Sequence, residues 1–397
     1  MGLFDELFNV LPRIEYFPAY DPEGEHEGIC FSGIKALAYD SVDYFGKHTK
    51  VFAHIGFPEN AVYPVPAVVL VHGGGGHPED IWIKKWNERG YAAISMDTTG
   101  FFPTKPIPHL YEGFAEGLKR ELTPPFNEEG YTVAPNNSEM SDTDLPVDSQ
   151  WMYHAVAQVI LAHNILRSDD RVDSSKIGIS GISWGSVITS IAIGYDTRFA
   201  FAIPIYGSGY LGSGYGFVCP NFRRTSAVTW LAEKRFSGVN MPIMWLCWND
   251  DCAFSINSNS MSYFDARENN PNNCLSMLHN MYHSHHHGYT PMEGYWFADE
   301  VLKGNKIPGV DAVYADGRVE YSCTEKVQGV RLFYITEKMS YVKRNKHNYD
   351  NIFMEQEWQI MELEATENSA VLPQEAVGKY VEFTLENGIV LTTPYVE

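Results

Sequence analysis

The stretch Ile177-Gly-Ile-Ser-Gly-Ile-Ser-Trp-Gly-Ser186 constrains this chain more than any other, because it sets Gly-x-Ser-x-Gly directly after a short apolar run. A serine on a sharp turn between a strand and a helix needs glycines two residues before and two after it, so that the backbone can pass without steric clash. Gly181, Ser183 and Gly185 meet that requirement. Ile177 to Ser180 reads as a buried parallel strand, and Val187 to Ile193 as the apolar helix that follows. The flanking strand and helix, more than the pentapeptide itself, point to Ser183 as a nucleophile.

Alternation of strand-like and helix-like segments from about residue 34 to 302 predicts an α/β protein, with a doubly wound, mostly parallel sheet covered by helices on both faces. Strands are expected over Ile34–Tyr39, Val51–Ile55, Ala67–Val71, Tyr91–Met96, Phe199–Tyr206, Met241–Trp248 and Leu275–Met281. Helices are expected over Ile81–Arg89, over Val147–Arg167 with Asp148 as N-cap, and from Thr290, where Pro291 falls in the first turn. The segment Thr98–Pro146, rich in Pro, Gly, Asn and acidic residues, is too long for an ordinary connection and reads as an insertion over the sheet. From Gly304 the texture changes to short β-rich runs between Gly, Asn and Pro turns. They predict a smaller C-terminal β-sandwich, immunoglobulin- or fibronectin III-like, over 304–397 beside a catalytic domain over 1–303.

A serine hydroxyl needs a histidine base, and the base needs a carboxylate to hold its tautomer. After the strand ending near Trp248, Asn249-Asp-Asp-Cys-Ala-Phe254 offers Asp250 and Asp251, and we favour Asp251, one step deeper into the loop. After the strand ending near Met281, Met281-Tyr-His-Ser-His-His-His-Gly-Tyr289 offers His283, His285, His286 and His287. We choose His285 as the base, with His283 as the alternate. Val71-His-Gly-Gly-Gly-Gly76 follows the apolar strand where an oxyanion hole would be built, with Trp184 as one backbone donor and Gly74 or Gly75 as the other. No Gly-Lys-Ser/Thr follows these glycines, which disfavours a phosphate-cradling loop. Clustered histidines are also a metal-binding composition, but no cysteine or second histidine motif converges on them, so neither a metal nor a cofactor is expected. Aromatic residues interleaved with glycine from Tyr206 to Phe217, with Tyr282 and Tyr289 nearby, suit sugar rings or serve as rim packing.

The 397 residues carry 29 basic and 50 acidic side chains, a formal net charge of -21. Such a surface repels phosphate backbones and anionic lipid, so no nucleic-acid or membrane partner is expected. A length of 397 residues suits one large domain and one small one, and 44% hydrophobic content is ordinary for a globular protein. The first residues lack a basic start and a long apolar core, and no stretch of about 18 apolar residues occurs, so a soluble cytoplasmic protein is expected. The six cysteines, Cys30, Cys219, Cys247, Cys252, Cys274 and Cys323, have no Cys-x-x-Cys spacing and read as free, mostly buried thiols.

Taken together, Val71–Gly76, Trp86–Ile94 with Met96-Asp97, Gly181–Gly185, and Asn249–Phe254 followed by the His-Ser-His loop and Phe297-Ala-Asp299 resemble the acetyl xylan esterase-like and dienelactone hydrolase-like branch of the α/β-hydrolases. The resemblance covers roughly residues 30 to 300, and similar proteins also carry a C-terminal β-sandwich. It implies Ser183 as nucleophile, Asp251 as acid and His285 or His283 as base, in hydrolysis of a small-molecule or oligosaccharide ester. Two departures are Ser186, where relatives tend to have a second glycine, and the extra pair His286-His287. The leading expectation is a carboxylic-ester hydrolase acting through an acyl-enzyme on acetylated sugars. The alternatives are a prolyl oligopeptidase-type peptidase, and a carbohydrate- or partner-binding protein on a hydrolase scaffold. Homo-oligomerisation is left open.

Overall fold

The apolar stretch at Ala67–Val71 becomes strand β4 (Val65–Val71), where every residue but Pro66 is buried. Burial on both faces is the condition under which an uninterrupted Val/Leu run, rather than an alternating one, is the fitting sequence. A computed structural model describes residues 2–16, 33–100, 140–216, 218–339 and 357–397. Cys30, Phe217 and most of the expected insertion, residues 101–139, lie outside the described residues. The chain forms two compact units, Met1–Ala200 and Phe201–Glu397.

In the first unit, β1 (Ile14–Tyr16), β2 (Ile34–Tyr44), β3 (Lys47–Gly56), β4, β5 (Ala92–Met96) and β6 (Val172–Ile182) are ordered β1-β2-β3-β5-β4-β6. β4 runs parallel to both β5 and β6, while β1, β2 and β3 add an antiparallel flank. Helix α1 (Asp80–Asn87) carries Asp80 in its first turn and Lys84 and Lys85 in its last, each end complementing the helix dipole. It buries Trp82, Ile83 and Trp86 on one side. Helix α2 (Trp151–Ser168) is buried along nearly its whole length, and α3 (Trp184–Ala192) follows β6.

The helix expected from Val147 with Asp148 as N-cap differs in its start. Val147–Ser149 form a short 3-10 turn, Gln150 is extended, and α2 begins at Trp151. The cap comes from further upstream: the Trp151 N–H donates to Asp142 Oδ2 at 2.6 Å. Asp148 is displaced from that role because the chain turns once more between it and the helix.

The second unit begins with β7 (Ala202–Ile205), β8 (Met244–Trp248) and β9 (Cys274–Leu278), neighbours in that order and parallel. Its helices are α4 (Ile256–Ala266), the single turn α5 (His285–Gly288) and α6 (Met292–Lys303). The β-rich C-terminal segment supplies β10 (Val310–Ala315), β11 (Arg318–Cys323), β12 (Val327–Ile335), β13 (Gln359–Leu363), β14 (Ser369–Val371), β15 (Gly378–Leu385) and β16 (Val390–Thr392). A three-stranded sheet, β10-β11-β14, faces the antiparallel series β16-β15-β12-β13, and Val319, Tyr321, Val330, Leu332, Val381 and Phe383 fill the layer between them. β16 also pairs with β9 through Thr392 and Leu275, so this layer is hydrogen-bonded into the parallel strands of its own unit.

Cys219, Cys247 and Cys274 are buried free thiols, Cys252 is buried, and Cys323 is a half-buried free thiol. Among the described residues, no helix is long and apolar enough to cross a membrane.

Candidate active site

Ser183 stands between the last residue of β6 and the first of α3, with φ 58° and ψ −121°. An L-residue adopts that backbone only under strain of about 1–3 kcal/mol, which the surroundings must hold in place. They do so by close packing. A Cβ on Gly181 would fall 2.1 Å from the Gly185 carbonyl oxygen, and one on Gly185 would fall 2.0 Å from that of Val71. Glycine is therefore obligatory at both positions, and the strand and helix meet more closely than any other residue allows. Ser183 occupies the N-cap position but its side chain makes no capping bond, and the residue remains partly exposed. Ser186, where relatives tend to have glycine, is buried and donates its hydroxyl to the Ser183 carbonyl at 2.7 Å, tying the first helical turn to the elbow.

The glycine segment after β4 forms a turn in the same unit. The Gly76 N–H donates to the Gly73 carbonyl at 2.9 Å, and Gly75 has φ 65°. Gly74 lies against the indole of Trp184, where a Cβ would come 2.8 Å from Cδ1. His72, buried at the base of this turn, uses both ring nitrogens: Nδ1 donates to the Gly73 carbonyl at 2.8 Å, and Nε2 accepts from the Thr98 N–H at 3.0 Å. Trp151 donates from Nε1 to the Thr98 carbonyl at 2.6 Å and packs edge-on against Trp184. Backbone amides held on such a rigid turn suit an anion that develops during reaction. His72 and Trp151 escaped the sequence reading; His72 was visible as the first residue of the glycine motif, whereas nothing local marked Trp151.

In the second unit, the expected acid is joined to a histidine. Asp251, whose side chain is fully buried, accepts a 2.7 Å hydrogen bond from His283 Nδ1 through Oδ2. Its Oδ1 accepts from the N–H groups of Ala253 and Phe254 at 2.8 and 3.0 Å. The carboxylate is thus fixed at both oxygens, and it fixes the histidine tautomer with the proton on Nδ1. Asp250 does something different: its Oδ1 accepts from Trp358 Nε1 at 2.9 Å, a structural tie to the C-terminal segment.

The histidine that Asp251 reaches is His283, two residues before His285. His285 opens α5, its carbonyl accepting from the Tyr289 N–H. His287 Nδ1 lies 2.8 Å from the Ser284 hydroxyl, and burial followed by the neighbouring His286 lowers its pKa. His286 Nδ1 faces the Tyr289 hydroxyl at 3.5 Å. Among the described residues, no three His, Cys, Asp or Glu side chains are gathered in a way that could hold a metal ion. The aromatic region beginning at Tyr206 contributes directly here, since the Tyr206 ring stacks on His283 with centroids 4.4 Å apart.

The acetyl xylan esterase from a Paenibacillus species is similar in structure, with a TM-score of 0.52 at 16% identity, covering 75% of this chain and 91% of that one. The fold is that of an α/β-hydrolase. Acetyl xylan esterase 1 from a Thermoanaerobacterium species matches with a TM-score of 0.48 at 17% identity, over 75% of this chain and 93% of its own. The acylaminoacyl peptidase of Pyrococcus horikoshii matches with a TM-score of 0.48 at 14% identity, over 78% of this chain and 45% of its own. No family model and no curated protein matches the sequence.

Proposed function

We propose that this chain is a serine carboxylic-ester hydrolase that works through an acyl-enzyme, with Ser183 as nucleophile, His283 as base and Asp251 as the group that orients it. The observation that carries this reading is the strained Ser183 backbone, φ 58° and ψ −121°, held between two glycines that tolerate no Cβ. Strain of this kind persists where function requires a particular side-chain presentation. In this reading Ser183 Oγ attacks the ester carbonyl while His283 Nε2 takes its proton, and Asp251 stabilises the imidazolium that results. Backbone N–H groups of Trp184 and of Gly74 or Gly75 receive the oxyanion. The intermediate then collapses, the C–O bond to the alcohol breaks, and His283 returns its proton to the departing oxygen. Water repeats the cycle on the acyl-enzyme and releases the acid.

Acetylated sugars are the proposed substrate class. This rests on the resemblance of the motifs to the acetyl xylan esterase-like branch and on the aromatic side chains beginning at Tyr206. The reading is tested with Ser183→Ala in the full chain. Hydrolysis of p-nitrophenyl acetate is expected to fall by at least about 10,000-fold, and labelling by a fluorophosphonate probe to vanish, with the thermal unfolding midpoint kept. Retained turnover would overturn it. A panel of acetylated xylo-oligosaccharides, monitored by acetate release, tests the substrate class separately.

A further inference from the structure

We propose that Tyr206 is a positioning residue for His283, clamping the loop on both sides of the imidazole while its ring fixes the imidazole plane; this rests on the reading of His283 as the base. The Tyr206 hydroxyl donates to the carbonyl of Tyr282 at 2.5 Å and lies 3.3 Å from that of Ser284, the two residues that flank His283. The same side chain therefore holds the peptide before the histidine, approaches the one after it, and covers its ring. The Phe254 ring also stacks with the imidazole, with centroids 5.9 Å apart and a 17° angle between planes. Stacked with two aromatic rings and bonded at Nδ1 to Asp251, the imidazole is held both in and out of its plane.

The clamp is itself rigidly mounted. Tyr206 follows β7 with φ 76°, a left-handed backbone that a bulky residue rarely adopts. Its N–H donates to the Leu246 carbonyl at 2.7 Å, and its carbonyl accepts from the buried Asn259 side chain at 2.9 Å. Tyr282 also has a positive φ, 54°, so the carbonyl that Tyr206 holds belongs to a strained residue whose relaxation would swing His283. Burial, reinforced by the Asp251 charge, raises the phenol pKa, so the hydroxyl stays a donor wherever an esterase would work.

The test compares Tyr206→Phe, which keeps the ring and loses the hydroxyl, with Tyr206→Leu, which loses both. With p-nitrophenyl acetate, kcat is expected to fall about 10-fold in the first and about 100-fold in the second, with KM within about 2-fold of wild type in both. The second readout is the downfield proton resonance of the His283–Asp251 hydrogen bond, assigned by its loss in Asp251→Asn. It is expected to be sharp in wild type, broadened in Tyr206→Phe and lost in Tyr206→Leu. A purely structural tyrosine would lower the unfolding midpoint yet leave both kcat and the resonance of the folded protein unchanged, and that result would overturn the proposal. A wild-type spectrum without the resonance would overturn it as well. If wild type turned over no ester, the esterase reading would fall, while the resonance comparison would still decide the role of Tyr206.

Discussion

Two glycines and one histidine show how much a single residue decides here. Gly181 and Gly185 are legible in the sequence because the elbow fixes their spacing about Ser183, although a Cβ would meet the Gly185 backbone at the first position and the distant Val71 backbone at the second, each within 2.1 Å. The base is a different kind of problem. Four histidines fall within five positions, and composition does not rank them. What brings His283, and not another of the four, to Asp251 is the conformation of the loop, in which Tyr282 at φ 54° turns the chain so that the next side chain meets the carboxylate. A left-handed tyrosine has no sequence signature, so the sequence favours His285 with His283 as the alternate, and the hydrogen bond to Asp251 is what supports His283 as the proposed base. The assignment makes a paired prediction. His283→Ala should reduce kcat/KM for p-nitrophenyl acetate by at least about 1,000-fold, whereas His285→Ala should stay within about 10-fold of wild type. Steady-state kinetics on the two variants side by side check it, and the reverse order would move the base to His285.

At the scale of elements, periodicity and apolar content mark many of the strands and helices, though not α4 or the short β1, and not what caps or extends them. The start of α2 is the clearest case. Asp148 has the sequence position of an N-cap, yet the first N–H of the helix donates to Asp142, nine residues before it, after an intervening 3-10 turn. A cap delivered across a folded loop is invisible to a scan for residues adjacent to the helix. The same holds at the C-terminal end, where β16 joins β9 by a contact between Thr392 and Leu275; the apolar runs announced a separate β-layer, but long-range register is not written in either strand alone. Asp142 permits a measurement. Burial raises its carboxyl pKa while the Trp151 N–H opposes that rise. Asp142→Ala should lower stability by about 1 kcal/mol, the usual cost of losing a cap, and Asp142→Asn, which keeps an acceptor oxygen, should lose less than half of that. Denaturant titration at pH 7 distinguishes the two, and equal losses would show that the cap bond contributes nothing.

For the molecule as a whole, the acid limit of stability should be set in large part by a buried network that no motif reveals, because His163 lies 33 residues before the Asp196 it pairs with. His163 on α2 donates from Nδ1 to Asp196 Oδ2 at 2.8 Å, with both side chains fully buried. Arg198 binds both oxygens of the same carboxylate and also donates to the Phe8 carbonyl, tying the N-terminal segment to this network. Burial works against the charge on Asp196, but the hydrogen bonds from Arg198 and His163 outweigh it and hold the carboxyl well below the usual range. For His163 burial prevails and the pKa is lowered. The geometry agrees, since among the described residues Nε2 is buried without a hydrogen-bond partner, and a proton placed there would find no acceptor. The two shifts act in separate windows. Below about pH 6.5 the unfolded chain protonates its histidine while the folded one resists, so the unfolded state binds more protons and stability falls with falling pH. The depressed Asp196 carboxyl contributes stability that is complete above about pH 4 and is lost only as pH falls towards its folded value. His163→Asn isolates the first window, because the amide can still donate to Asp196 but does not titrate. The decrease in unfolding midpoint between pH 7.5 and pH 5.5 should be smaller in that variant than in wild type. His154, also lowered by burial, and the raised carboxyls of Glu293 and Glu382 are common to both proteins and cancel in the comparison. Identical slopes in the two proteins would mean that His163 is protonated as readily inside the fold as outside it.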